Sequence, residues 1–489
     1  MKKLLIISAL FITAITSCRK IEVDGDGTTT PVNPTPGTGN TVTIKGRITT
    51  NTTFTQGNTY VLSGIVYVMK DVTLTIQPGV VVKGAYTGND VAALVVTRGG
   101  KIDAKGTVDN PIVFTSASAT PKSGDWGGIV ICGKAGINTS FNGTPGILEV
   151  EGGINNSEGL GLAGAGDAAF PAADDNDNSG VLQYVRIEYA GYAFQPDKEI
   201  NSLTMAAVGR GTTIDHVQVA YAKDDAFEWF GGAVNCKYLV AYKTQDDDFD
   251  TDNGFSGSVQ FGLIVRDSAI ADISKSEAFE SDNNSGGTTA SPKTRPIFSN
   301  VTAIGPRATL TNTGNSLYLA AAQLRRNTST SIYNSVFIGW PIGLLIDAST
   351  GTPVDNNITD SSLRFRNNII AGCNTPIKYT ASTNTPTGNT DATITAMLTN
   401  SYFKNTILTA QADANNLFTR PFDYANYDFA PFANSGNQIT KDYSFTDEKL
   451  AAAMVANPAA PNKITAVTFR GAIAPSGTDA NWHKGWTKF

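Results

Sequence analysis

"DVTLTIQPGVVVKG", residues 71–84, contains a strand, a turn and a second strand. Val72, Leu74 and Ile76 alternate with polar residues, so an extended chain points all three to one side. Pro78-Gly79 supplies the turn, and Val80 and Val82 resume the alternation. The pattern recurs in "AALVVTRGGKIDAKG", "NPIVFTS" and "WGGIVICGKAGIN". These strands are short, β-branched and separated by turn residues. No 3.6-residue period persists, which excludes a helical bundle.

Further along, "SNVTAIG", "YNSVFIG" and "RNNIIAG" each place an Asn five residues before a Gly: Asn300, Asn334 and Asn367 before Gly305, Gly339 and Gly372. Asparagines at equivalent turns suggest side-chain amides bonding coil to coil. A chain of such repeats buries its apolar face only against neighbouring repeats, as a solenoid does. A propeller would need regular four-stranded blades, and the spacings here are shorter and irregular.

The chain resembles a right-handed parallel β-helix of the pectate-lyase-like class and, more narrowly, a widespread family of exported bacterial β-helix proteins of no settled activity. The resemblance rests on "LTIQPGVVVKG", "DWGGIVICGKAGIN", "NSGVLQYVRIEYAG", "VGRGTTIDHVQVAYAKDDAFEWFGGAVNCKYLVAY" and the ending "RGAIAP…NWHKGWTKF". The expected class is all-β, a right-handed parallel β-helix solenoid over 43–430 with a small C-terminal cap over 431–489. Within that cap, "DEKLAAAMVANPAAPNK" suits a short helix. Trp482 and Trp486 are expected to pack over the last coil, since solenoid ends need covering.

The N-terminus "MKKLLIISALFITAITSC" has two lysines, then an apolar run too short for a membrane span, the pattern of an export signal over 1–17. "ITSC" resembles a bacterial lipobox, which implies lipidation of Cys18 and anchoring to a membrane through acyl chains. Arg19, where an Asp can retain lipoproteins at the inner membrane, favours the outer membrane by the same resemblance. Residues 18–42, rich in Thr, Pro and Gly, read as a tether.

The chain carries a net charge of −6, and −8 once Lys2 and Lys3 leave with the signal, 35 basic against 43 acidic residues. No basic stripe exists to meet phosphates, which excludes nucleic acid as a partner. Cys132, Cys236 and Cys373 are too widely spaced for a disulfide framework or metal knuckle, and read as core residues.

Three acidic turns stand out: "DDAFEWFGG" (224–232), "DDDFDTDNG" (246–254) and "EAFESDN" (277–283). In a solenoid Phe227, Phe249 and Phe279 would stack inside, followed outside by Glu228, Asp250 and Glu280, roughly 4.8 Å apart from coil to coil. Crowded carboxylates either hold protons or share a cation. Oxygen ligands in loops suit Ca²⁺, with Asp225, Glu228, Asp247, Asp248, Asp250, Asp252, Glu280 and Asp282 as candidate ligands. The alternative is a solvated acidic face whose side chains close turns. "DDNDNSG" (174–180) resembles the front of a calcium loop, with Asp175 and Asp177, but Arg186 stands where the closing Glu belongs.

Aromatic residues lie among the acids. Trp229, Phe230 and Tyr242 are candidate contacts for a glycan, with Trp229 expected at the surface. Tyr221 and Phe255 are their neighbours. An envelope protein is the other partner considered. Paired aspartates could also serve a hydrolase or lyase, yet no Gly-His-Gly or Arg-x-Lys accompanies them. Arg266 and Lys275 fit no defined motif. Three readings stay open: binder, enzyme and structural or adhesin-like surface protein.

Overall fold

The computed structural model describes residues 19–23 and 39–489, apart from 196–197, 308–313, 411, 413, 415, 419–438, 441–446 and 456–462. The export signal and Cys18 lie outside the described residues. Arg19–Val23, in the stretch read as a tether, pairs in parallel with Val42–Gly46.

The chain winds as a parallel β-helix with right-handed crossovers, the hand that strand twist imposes. One wall stacks Ala93–Val96, Ile129–Cys132, Leu203–Ala206, Phe227–Phe230, Phe249–Asp252 and Phe279–Ser281 in register. It continues through Gln323–Arg325, Ile342–Asp347 and Thr375–Thr380. The second and third walls share long bent strands, Gly180–Glu188, Thr213–Ala220, Asn235–Tyr242, Ser258–Val265 and Ile297–Ile304. The opening stretch lies in the first coils: Val72, Leu74, Ile76, Val80 and Val82 are all buried, and Gly79 turns with φ +76°. Cys132, Cys236 and Cys373 are free and buried.

Each long strand bends at a residue with positive φ. Tyr184, His216, Tyr238, Phe261, Asn300, Asn334 and Asn367 form one column of such corners, φ 49 to 63°. Asparagine tolerates this region by bonding locally. Here the amides also bond between coils: Asn367 Nδ2 donates to Asn334 Oδ1 at 2.8 Å, and Asn334 Nδ2 to Ser299 Oγ at 3.2 Å. The earlier corners stack rings instead, Tyr184 on His216 at 4.4 Å, His216 on Tyr238 at 4.3 Å and Tyr238 on Phe261 at 4.9 Å.

The C-terminal segment corrects one expectation. The short helix forms as Glu448–Met454, but Trp482 and Trp486 do not cover the last coil. They lie against the side of the solenoid, edge-on to His216 at 6.2 and 5.6 Å. Asn300 Nδ2 donates to Phe469 O, Gly471 N to Asn334 O, and Lys488 N to Gln218 Oε1. The segment is thus a strap along the corner column. At the far end, Asp391–Leu398 packs beside Thr375–Thr380 with Ile394 and Leu398 buried.

Asp447 anchors the strap. It accepts from Lys449 N and Leu450 N and pairs with Arg364 and Arg366. Burial would raise its pKa, but the Leu450 amide and the two guanidiniums outweigh it and hold the carboxyl below the usual range. The ionised form therefore stabilises the fold fully above the unfolded value of about 3.9 and loses this effect as pH falls through the folded value. The stability difference between wild type and Asp447→Asn should be constant above about pH 5 and shrink below about pH 4. A difference that holds down to pH 3 in denaturant titrations would contradict this.

Asn334→Ala should cost about 1–3 kcal/mol for broken buried bonds and a further roughly 1–2 kcal/mol for forcing Ala into the left-handed region. Asn334→Gly should recover only the second part. Equal stability of the two variants in urea would refute the role of the backbone conformation.

Candidate functional site

The acidic turns lie on the first wall. Phe227, Phe249 and Phe279 occupy one inward column, with ring centroids 5.6 and 5.4 Å apart. Strand alternation turns the next residue outward, so Glu228, Asp250 and Glu280 form an outer column, preceded one coil earlier by Thr204. A second ladder precedes it: Asp247 N donates to Asp225 Oδ1 at 2.9 Å, and Glu277 N to Asp247 Oδ1 at 2.6 Å. Each carboxylate thus closes onto the turn of the following coil.

Three groups of carboxylate oxygens lie within 4.8 Å of one another: Asp224–Asp225–Asp246, Asp225–Glu228–Asp250 and Asp247–Glu277–Glu280. Asp225, Glu228, Asp247 and Glu277 are buried, and Asp224, Asp246, Asp250 and Glu280 are half-buried. Burial first, then neighbouring carboxylates, pushes Asp224, Asp225, Glu228 and Asp247 well above the usual range. Burial raises Asp250 only to about 6, because Arg325 lies opposite. It raises Asp246, Asp252 and Glu277 to about 7, and Asp282 to about 8.

The cluster is short of counter-charge. Arg325 meets Glu280 and Asp282, and Arg326 meets Asp282. Asn201 Nδ2 donates to Glu228. Among the described residues, the group Asp225–Glu228–Asp250 has no salt bridge to a basic side chain, and beside it Thr204 Oγ1, 1% exposed, has no hydrogen-bond partner. Oxygen donors with surplus negative charge, drawn from adjacent coils, fit a hard divalent cation.

Among the expected ligands, Asp225, Glu228, Asp247, Asp250 and Glu280 come together in these groups. Asp248 does not. It sits inside the coil, paired at 3.1 Å with the fully buried Arg266. Arg266 also donates to the carbonyls of Asp246 and Gln245 and lies over Tyr318 and Trp340. Its role is to fix the turn that carries Asp246 and Asp247. Asp252 accepts from Asn253, and Asp282 is occupied by its two arginines. Asp175 and Asp177 close turns, accepting from Gly136 N and Lys134 N, as in the solvated-face alternative.

The aromatic expectations are corrected. Trp229 is 0% exposed, packed among Phe227, Phe249, Phe255 and Phe298. It follows Glu228 on a strand, so the alternation that sends Glu228 out sends Trp229 in. Phe230 points outward but is buried beneath Ile137 and Val150, from the loop after Ile129–Cys132, and Ile200, from the loop after Gly180–Glu188. Tyr242 is buried against Phe489 of the strap. Tyr221 alone among the five aromatics keeps partial exposure, stacked 5.0 Å from Tyr189.

Glu277, Asp224, Asp246 and Thr204 were missed as site residues. The first three belong to the same acidic turns, and the coil alignment that pairs the phenylalanines places them. Thr204 carries no motif and is found only through register.

Such a solenoid defines the chain as a parallel β-helix protein. The model of the pectate-lyase like beta helix domain matches residues 46–417, and the chain belongs to that family. No curated protein and no solved structure matches it.

Removing Arg266 leaves the Asp248 carboxylate buried without its partner. Arg266→Met should cost about 3–5 kcal/mol, and the double variant with Asp248→Leu should recover most of that. A single-variant loss below about 1 kcal/mol in denaturant unfolding would show that the pair is not the constraint argued here.

Proposed function

We propose that the chain is an envelope-anchored β-helix protein whose first wall binds an extended ligand, a glycan, beside a calcium ion held by Asp225, Glu228 and Asp250. The observation that carries the cation is the oxygen cluster itself: these carboxylates lie within 4.8 Å of one another, and among the described residues none of them forms a salt bridge. Calcium takes six to eight oxygens, which three carboxylates, the Thr204 hydroxyl and water can supply. The glycan rests on the family, whose fold suggests a carbohydrate-related role, and Tyr221 with Tyr189 offers an aromatic edge near the acidic turns. Anchoring at Cys18, and with it the outer-membrane address, rests on the lipobox-like "ITSC". An envelope protein is the alternative partner.

The rival reading, a polysaccharide lyase or hydrolase, is favoured by an acid raised toward neutral pH outside the salt bridges, Asp252 at about 7. A panel of neutral and acidic polysaccharides separates the two. Retention without release of reducing or unsaturated ends supports the binder, and release from any member makes the protein an enzyme.

For the cation, the soluble form beginning at Arg19 should melt higher in calcium than in chelator, by about 2.7 kcal/mol at a hundredfold excess over Kd. Asp250→Asn should lose that increment and match or exceed wild type in chelator, where carboxylate repulsion is relieved. An equal loss with and without calcium would sink the site.

A further inference from the structure

We propose that the first wall carries a second divalent-cation site, made by Asp247, Glu277 and Glu280. It extends the cation reading above to another set of ligands and shares no residue with Asp225–Glu228–Asp250. Asp247 comes from the turn that also carries Asp250, Glu277 and Glu280 come from the following one, and the three side chains bring oxygens within 4.8 Å of one another.

Glu277 supplies the independent observation. It is 1% exposed, and its Oε1 receives no hydrogen bond. A buried carboxylate oxygen without a donor is costly, and a cation among the three oxygens would remove that cost. The neighbours of Glu277 are the Asp247 carboxyl, whose Oδ1 already accepts the Glu277 amide and which can share one proton with Glu277, and Arg325, whose salt bridges go to Glu280 and Asp282. A shared proton joins only two of the three side chains, whereas a cation meets all of them.

Charge fits a divalent ion. Asp247, Glu277, Glu280 and Asp282 face Arg325 and Arg326, leaving two negative charges when all are ionised. All available ligands are carboxylate oxygens, which favours a hard cation of calcium type over a thiophilic metal. Because the ligand sets are disjoint, the two ions bind as separable events within one wall.

The test is equilibrium dialysis of the soluble chain against calcium alone, with bound metal counted per chain. Wild type should hold two ions, Asp250→Asn one, Glu277→Gln one and the double variant none. One ion in wild type, lost in Asp250→Asn but kept in Glu277→Gln, overturns the second site and leaves the first. One ion lost only in Glu277→Gln supports the second site and overturns the first. No ion in wild type overturns both, and loss of both ions from either single variant overturns their separability. Melting in chelator reports whether each variant folds. Should Glu277→Gln fail there, Asp247→Asn replaces it with the same expected count.

Discussion

The constraint on which this structure depends is parallel register at a coil spacing of roughly 4.8 Å. It sets each side chain beside its counterpart in the next turn, so every column repeats one chemistry. Rings gain from the repetition, as Phe227, Phe249 and Phe279 do inside. Amides gain too, because each has a donor and an acceptor to pass along, as Asn334 and Asn367 do at the corner. Carboxylates cannot, because an ionised carboxylate only accepts. A column of Glu228, Asp250 and Glu280 therefore needs protons, guanidiniums or metal ions, and each step along it uses what its neighbours supply.

The supply changes along the axis. Near Asp225 and Glu228 the neighbours are neutral, Asn201 and Thr204. Near Glu280 and Asp282 they are Arg325 and Arg326. Inside the coil, Asp248 has Arg266 to itself. Similar acidic turns thus end in different states: open to a cation, partly neutralised, or closed into a buried pair. The sequence repeat is nearly uniform, and the difference comes from which residues the adjacent coils place alongside.

That separates what the sequence made legible from what it did not. The solenoid, the phenylalanine column and the acidic column were legible because alternation and repeat spacing are local properties that register converts directly into neighbours. Trp229 was misplaced although alternation from Phe227 predicts its burial; its acidic and aromatic neighbours suggested a surface turn instead. Phe230 and Tyr242 were illegible in a stricter sense. Both are covered by residues outside their own coil, Phe230 by Ile137, Val150 and Ile200 and Tyr242 by Phe489. The strap was misread for the same reason: nothing within "NWHKGWTKF" says that it docks on His216 rather than over the final coil.

The strap also narrows where function can reside. Tyr184, His216 and Tyr238 form a ring column that could have served as a stacking surface for sugars, but Trp482 and Trp486 pack against it. The loop after Ile129–Cys132, with Ile137 and Val150, covers the first wall around Phe230. Between that loop and the Arg325–Arg326 pair lies a stretch of the first wall where buried carboxylates outnumber basic partners. Repulsion among those groups works against folding, so this stretch gains stability from whatever lowers its charge. Burial has already raised Asp250, Glu277 and Asp282 to about 6 to 8, so protons and any bound cation compete for the same oxygens, and the state of this wall depends on pH near neutrality.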